Sequence, residues 1–142
     1  MTALEDYRIE SLERPDDAAW SAIGGGIDAY NTQQAGGSHG GYVCFVVRAD
    51  QEIVGGIICE LHWDWLYISL LWVREDLRGK GFGRRLLTLA EEEARRRGAT
   101  HAYLDTFSFQ APGFYEQLGY AAFGVLNDFP PGHQRYYLTK QL

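Results

Sequence analysis

Thiols are scarce in this chain. Cys44 and Cys59 are the only cysteines among 142 residues. With Asp50-Gln51 as a tight turn, residue 44 lies opposite 57 and residue 59 opposite 42, so the two thiols do not face each other. Both are expected to be buried, small apolar residues. Four scattered histidines and two cysteines lack ligand spacing, so no metal site is expected. No apolar run approaches the ~20 residues of a membrane span, and none reads as a secretory leader. A cytoplasmic, reduced setting without a membrane partner is the expectation. Positive charge is in deficit, with 13 Lys and Arg against 19 Asp and Glu, a net of −6. Nucleic-acid binding needs a basic face, so no nucleic-acid partner is expected, and a cationic partner is mildly favoured. No period of roughly 20–50 residues recurs, which excludes a repeat protein.

What is present fits one globular domain over residues 1–142. Hydrophobic residues make up 46% of the chain, enough for a core. Tyr7 to Leu12 reads as a short first strand. Pro15-Asp16-Asp17 opens a helix through Trp20 and Ile23, which Gly24-Gly25-Gly26 should interrupt. A second short helix around Ile27 to Asn31 and a mobile loop over Gln33 to Gly41 follow. Tyr42 to Arg48 and Ile53 to Leu61 form a hairpin. If Trp63-Asp64 is a second turn, Trp65 to Val73 is the next strand. Then Glu60 faces Tyr67, His62 faces Trp65, and Glu60 and His62 share a face.

Phe82, Leu86, Leu89, Ala90 and Ala94 recur at helical spacing, so a long helix runs to about Arg97. Glu91 to Glu93 stand four residues before Arg95 to Arg97, which reads as a solvated, ion-paired face. Gly98 is a natural cap. Ala102 to Asp105 reads as a strand, Ala111 to Leu118 as a short helix, and Tyr120 to Val125 and Arg135 to Leu138 as final strands. The expected fold class is α+β, a single mixed central β-sheet flanked by helices.

Between Val73 and the long helix lies Arg78-Gly79-Lys80-Gly81-Phe82-Gly83-Arg84-Arg85. Glycines let a ligand approach the backbone, and the first N–H groups of a helix have no internal partner, so the unit suits an anion. The P-loop pattern fails because Gly79-Lys80 is followed by Gly81 rather than Ser or Thr. The dinucleotide pattern fails because Arg84 and Leu86 occupy the third-glycine positions. A plain tight turn and a pyrophosphate cradle of the pattern [QR]-x-x-G-x-[GA] remain, and Arg78 to Gly83 matches the second in full.

With that pattern between an apolar strand and an amphipathic helix, the chain resembles the GCN5-related N-acetyltransferase family. Ala111-Pro112-Gly113-Phe114-Tyr115-Glu116-Gln117-Leu118-Gly119-Tyr120 is similar to a second segment of that family, in which an aromatic pair precedes a Leu-Gly-aromatic ending. The resemblance covers Tyr42 to Leu142 well and the N-terminal part loosely. It implies a single N-acetyltransferase domain that uses acetyl-CoA as donor, without a metal, and acetylates the primary amine of a small molecule. It implies backbone contacts to the pyrophosphate from Arg78, Gly79, Lys80, Gly81, Phe82, Gly83 and Arg84. It implies contacts to the pantetheine arm from Leu71, Trp72 and Val73, with Phe114 beside them. Ser108 falls where relatives often carry a cofactor-touching asparagine.

The resemblance assigns Tyr115 as the acid that protonates the departing thiolate. Some relatives carry a glutamate base on the strand before the loop, but that position here is Tyr67. Glu60 is the first candidate for the base and His62 the second. Asn31, His39 and His133 are candidates for touching the acceptor. A homodimer is compatible with the family. Two other readings stay open: a coenzyme A-binding module without turnover, and an acetyltransferase for protein N-termini or lysines.

Overall fold

The computed structural model describes residues 3–38 and 40–142. His39 lies outside the described residues. The chain divides into two compact units, Met1–Gly37 and Ser38–Leu142.

The first unit holds a 3-10 turn, Leu4–Asp6, and one helix, α1, Asp17–Ala35. Asp16 caps α1 by accepting the Ala19 N–H at 2.7 Å. The helix passes unbroken through Gly24, Gly25 and Gly26, contrary to the expected interruption. Glycine weakens a helix by about 1 kcal/mol per residue relative to alanine, but it has no steric bar to helical angles. Asn31 therefore lies within α1 rather than beside a loop. Residues 7–12 carry neither helix nor strand. Alternation makes a strand only where a ladder partner exists.

The second unit is a six-stranded sheet in the order β1-β2-β3-β4-β6-β5. The strands are β1 (Gly41–Ala49), β2 (Glu52–His62), β3 (Trp65–Val73), β4 (His101–Phe107), β5 (Ala121–Asn127) and β6 (Gln134–Gln141). Helix α2 (Phe82–Arg96) crosses from β3 to β4, and α3 (Pro112–Gln117) follows β4. Among the described residues only β3 and β4 run parallel. No helix among the described residues is long and apolar enough to cross a membrane.

The hairpin registers are near those expected. Glu60 faces Tyr67 and His62 faces Trp65. In β1–β2 a shift after Val47 moves the pairing by one residue, so Cys44 opposes Ile58 and Val43 opposes Cys59. Alternation then puts the two thiols on opposite faces of the sheet. Cys59 is buried, and its thiol is pushed up to about 12 by burial first. Cys44 is exposed, contrary to the expectation that both are buried.

The core lies between α2 and one face of the sheet. Leu86, Leu87, Ala90 and Ala94 pack on Val43, Ile57, Cys59, Leu66, Ile68, Leu104 and Leu138. The charged run on α2 splits into two roles. Glu93 pairs with Arg96 and Arg97, as helix spacing expects. Glu91 is buried instead. It accepts from the Tyr120 hydroxyl at 2.7 Å and from the Lys140 ammonium at 3.0 and 3.1 Å. The lone pairs of its carboxylate are used by partners from beyond β4, so the solvated-face reading fails for this residue. Glu91→Ala strands a buried hydroxyl and a half-buried ammonium. We expect a loss of about 2–3 kcal/mol, read as a fall of roughly 6–10 °C in melting temperature. A fall of under about 2 °C would show that the network contributes little.

Candidate active site

The site begins where the sheet stops being a sheet. The ladder between β3 and β4 covers only Trp65 to Ile68 on one strand and His101 to Leu104 on the other. Beyond it, β3 continues to Val73 and β4 to Phe107 with no pairing between them. A shift in the β2–β3 register pairs Ile58 with Leu70 and Cys59 with Ile68, leaving Ser69 as an extra residue. Such a bulge bends its strand and raises its twist. The strands part at this point, and a cleft of about 1090 Å³ opens between them. That volume is at the top of the ~300–1,000 Å³ usual for one small ligand, so it has room for a donor and an acceptor together.

One wall is built from the end of β3 and the start of α2. Leu71, Trp72, Val73, Arg78, Gly79, Gly81, Phe82, Gly83 and Arg84 all line the cleft. The helix begins at once after Gly81, whose φ of +87° reverses the chain. The first helical bond runs from the Arg85 N–H to the Gly81 carbonyl at 3.1 Å. The N–H groups of Phe82, Gly83 and Arg84 precede it, so the helix supplies them no acceptor. Gly79 (φ +74°) and Gly81 are glycines by conformation, and a Cβ on either would point into open space. Gly83 differs, since its Cβ would touch the Phe114 ring at 3.4 Å. The loop is braced by Arg78, whose Nε donates to the Val73 carbonyl at 2.9 Å. Free N–H groups, open space above two glycines and a helix N-terminus make a cradle that fits a pyrophosphate.

Facing that wall are Phe114 and Tyr115 of α3. The Tyr115 ring meets Phe114 and Tyr120 edge-on, at 5.0 and 6.0 Å between centroids. Burial first, then coupling to Cys59 and Asp105, pushes the phenol up to about 12. Tyr115 therefore keeps its proton at any ordinary pH.

A third wall is polar and aromatic. The Tyr67 hydroxyl donates to Asp105 Oδ1 at 2.8 Å. Arg135 donates to Asp105 Oδ2 from Nε at 2.9 Å, and from Nη2 as well. The Arg135 guanidinium also lies 4.9 Å from the Phe129 ring centre and 5.4 Å from that of Phe107. Burial and the bond to Asp105 push Tyr67 up to about 12, so it too remains a neutral donor. Tyr67, Asp105 and Arg135 line the cleft together.

Lys80, Ser108, Glu60, His62 and His133 all stand outside that lining. Ser108 accepts the Gln134 N–H at 3.0 Å and gives its own N–H to the Gln134 carbonyl, which pins the ends of β4 and β6. Glu60 and His62 stand across the hairpin from Tyr67 and Trp65, with 4.0 Å between His62 Nε2 and Glu60 Oε2. Arg135 was the residue missed. Its place emerges only when the β4–β6 register sets it opposite Phe107. Among the described residues no group of His, Cys, Asp and Glu gathers as metal ligands do.

Residues 3–120 match the family model described as "Acetyltransferase (GNAT) family". The chain belongs to that family. A blasticidin-S acetyltransferase of Streptomyces morookaense is 38% identical over 102 residues, 71% of this chain and 75% of its own. The acetyltransferase Atu2258 of Agrobacterium fabrum is 36% identical over 127 residues, covering 89% of this chain and 93% of its own. A crystal structure of an acetyltransferase from Bacillus cereus superposes with a TM-score of 0.84 at 32% identity, over 94% of this chain and 98% of that one. The GNAT membership and the mixed six-stranded sheet agree with the expected fold, and the protein is an acetyltransferase enzyme.

Proposed function

We propose that this GNAT protein transfers acetyl from acetyl-coenzyme A directly to the amine of a small molecule. One observation carries the reading: the anion cradle, the unpaired edge of β3 and the Tyr115 hydroxyl-bearing ring all border one cleft. A relative named for blasticidin-S supports a small-molecule acceptor over a protein.

The donor supplies an acetyl group activated as a thioester. Its diphosphate would be held by the N–H groups at the start of α2, whose partial positive charge favours an anion. Its linear arm would pair with the main chain of Leu71 to Val73, which has no ladder partner on the β4 side. A backbone N–H there would also polarise the thioester carbonyl. Tyr115 would donate a hydrogen bond to the departing sulfur. The reacting amine would enter past Tyr67 and Asp105.

Glu60 and His62 stand off the cleft, so we assign loss of the amine's proton to water rather than to either side chain. An alkylamine has a pKa near ~10.4, and only its neutral form attacks. The value of kcat/KM should then rise about tenfold per pH unit from pH 7 toward 10. Because Tyr115 is pushed up to about 12, no falling limb should appear below about pH 11. A pH profile that levels near neutrality would instead require a protein base. The reading as a whole is tested by thiol release from acetyl-coenzyme A across a panel of amines. Silence throughout, with coenzyme A still binding in calorimetry, would favour a module without turnover.

A further inference from the structure

The face of the sheet opposite α2 carries a band of rings that extends beyond the cleft. Parallel pairing sets Trp65 beside His101 and Tyr67 beside Tyr103. The Trp65 and His101 rings stack at 4.6 Å, and those of Tyr67 and Tyr103 at 4.8 Å. Trp65 meets Tyr103 edge-on at 6.0 Å, which joins the two stacks into one band. The band starts in the cleft, because Tyr67 is part of the cleft wall, and runs out along the strands to Trp65 and His101.

Glu60 stands over this band. It faces Tyr67 across the hairpin, and after burial its charge helps push the Tyr103 phenol up. Two carboxylates beside the band differ in how they are used. Asp105 is occupied by Tyr67 and twice by Arg135. Glu60 has His62 at 4.0 Å, the limit of an ion-pair contact, and its side chain is 36% exposed. A carboxylate with spare capacity beside a band of aromatic rings is an arrangement that takes up an organic cation. The chain's net charge of −6 adds a long-range attraction for such a ligand.

We propose that Glu60, with Tyr103 and Trp65, forms a subsite for a second positive charge on the acceptor. The proposal rests on the N-acetyltransferase reading of the cleft and narrows its substrate class. The preferred acceptor carries one amine that reacts beside Tyr67 and a second cationic group, ammonium or guanidinium, on a short linear spacer. The reacting amine must lose its charge before attack, while the second group keeps its own throughout. The subsite therefore contributes to binding and leaves the chemical step alone.

The test compares 1,4-diaminobutane and 4-guanidinobutylamine with n-butylamine, on wild type, Glu60→Gln and Tyr103→Leu. Wild type should favour the dications about tenfold in KM, with kcat similar for all three. Glu60→Gln should erase most of that preference and move KM for n-butylamine by less than about twofold. Tyr103→Leu should act in the same direction, and a thermal melt of each variant confirms that it folds. Equal loss of kcat for all three amines in Glu60→Gln would make Glu60 a base and overturn the proposal. So would a wild type without any preference for dications.

Calorimetry of the same amines on coenzyme A-saturated protein separates this inference from the catalytic one. A dication preference in binding that is lost in Glu60→Gln supports the subsite even where no amine is acetylated. A wild type that binds butylamine and diaminobutane alike overturns it whatever the turnover.

Discussion

Tyr115→Phe should lower kcat by about a hundredfold and leave KM for acetyl-coenzyme A within about threefold. The size of the effect follows from acidity. Free thiols ionise near ~8.5, whereas burial pushes Tyr115 up to about 12. Full proton transfer from the phenol to a thiolate is uphill by a difference of ~3.5, about 5 kcal/mol. Tyr115 is thus better suited to donate a hydrogen bond as the carbon–sulfur bond breaks than to hand over its proton completely. A single preorganised donor of that kind accounts for about 10²–10³ in rate. Phenylalanine keeps the edge-on contacts with Phe114 and Tyr120, so the fold and the cradle should be undisturbed. A thioester whose leaving thiol is more acidic needs less help and should lose less in the variant. Equal loss for acidic and ordinary leaving thiols would mean that Tyr115 acts by packing and not on sulfur. The same ladder of substrates run on wild type gives the reference slope.

Gly81→Val should raise the dissociation constant for coenzyme A at least a hundredfold. Two effects combine at this position. A φ of +87° places a β-branched residue in a left-handed conformation, at a cost of about 1–2 kcal/mol. The new side chain also projects into the open space over the loop, where the diphosphate would lie. Gly98→Val separates the two. Gly98 has a φ of +94° and equally open surroundings, but it follows the far end of α2. Both variants should lose a few degrees of melting temperature, and only Gly81→Val should lose the ligand, as calorimetry would show. Equal affinity in the two variants would remove the loop from the donor site.

Local periodicity carried the fold a long way. Apolar spacing in Phe82 to Ala94 predicted α2, and turn residues predicted the pairing of Glu60 with Tyr67. The glycine loop was legible because its chemistry is in the backbone, and backbone demands are written in glycine. What stayed hidden depends on partners distant in sequence. Glu91 reads as one of three like charges on a helix face, and only the arrival of Tyr120 and Lys140 makes it a core residue. The extra residue at Ser69 leaves no mark in composition, yet it falls where β3 parts from β4. Arg135 looks like any charge on a last strand until β4 fixes its register. In each case the deciding term is tertiary pairing, which has no local signature.

The parting of β3 from β4 also bears on edge-to-edge association. Unpaired strand edges are the usual templates for runaway association, and proteins blunt them with charges, bulges or covering segments. Besides the rim strands β1 and β5, this fold keeps two such edges in the middle of its sheet, facing each other across a wedge closed at Ile68 and Leu104. A folded neighbour presents its own edge along a whole strand and cannot follow the wedge to its apex. A thin, flexible, linear molecule can. Its shape thus sets an entry rule: the exposed hydrogen-bonding groups are open to a chain-like ligand and closed to another sheet.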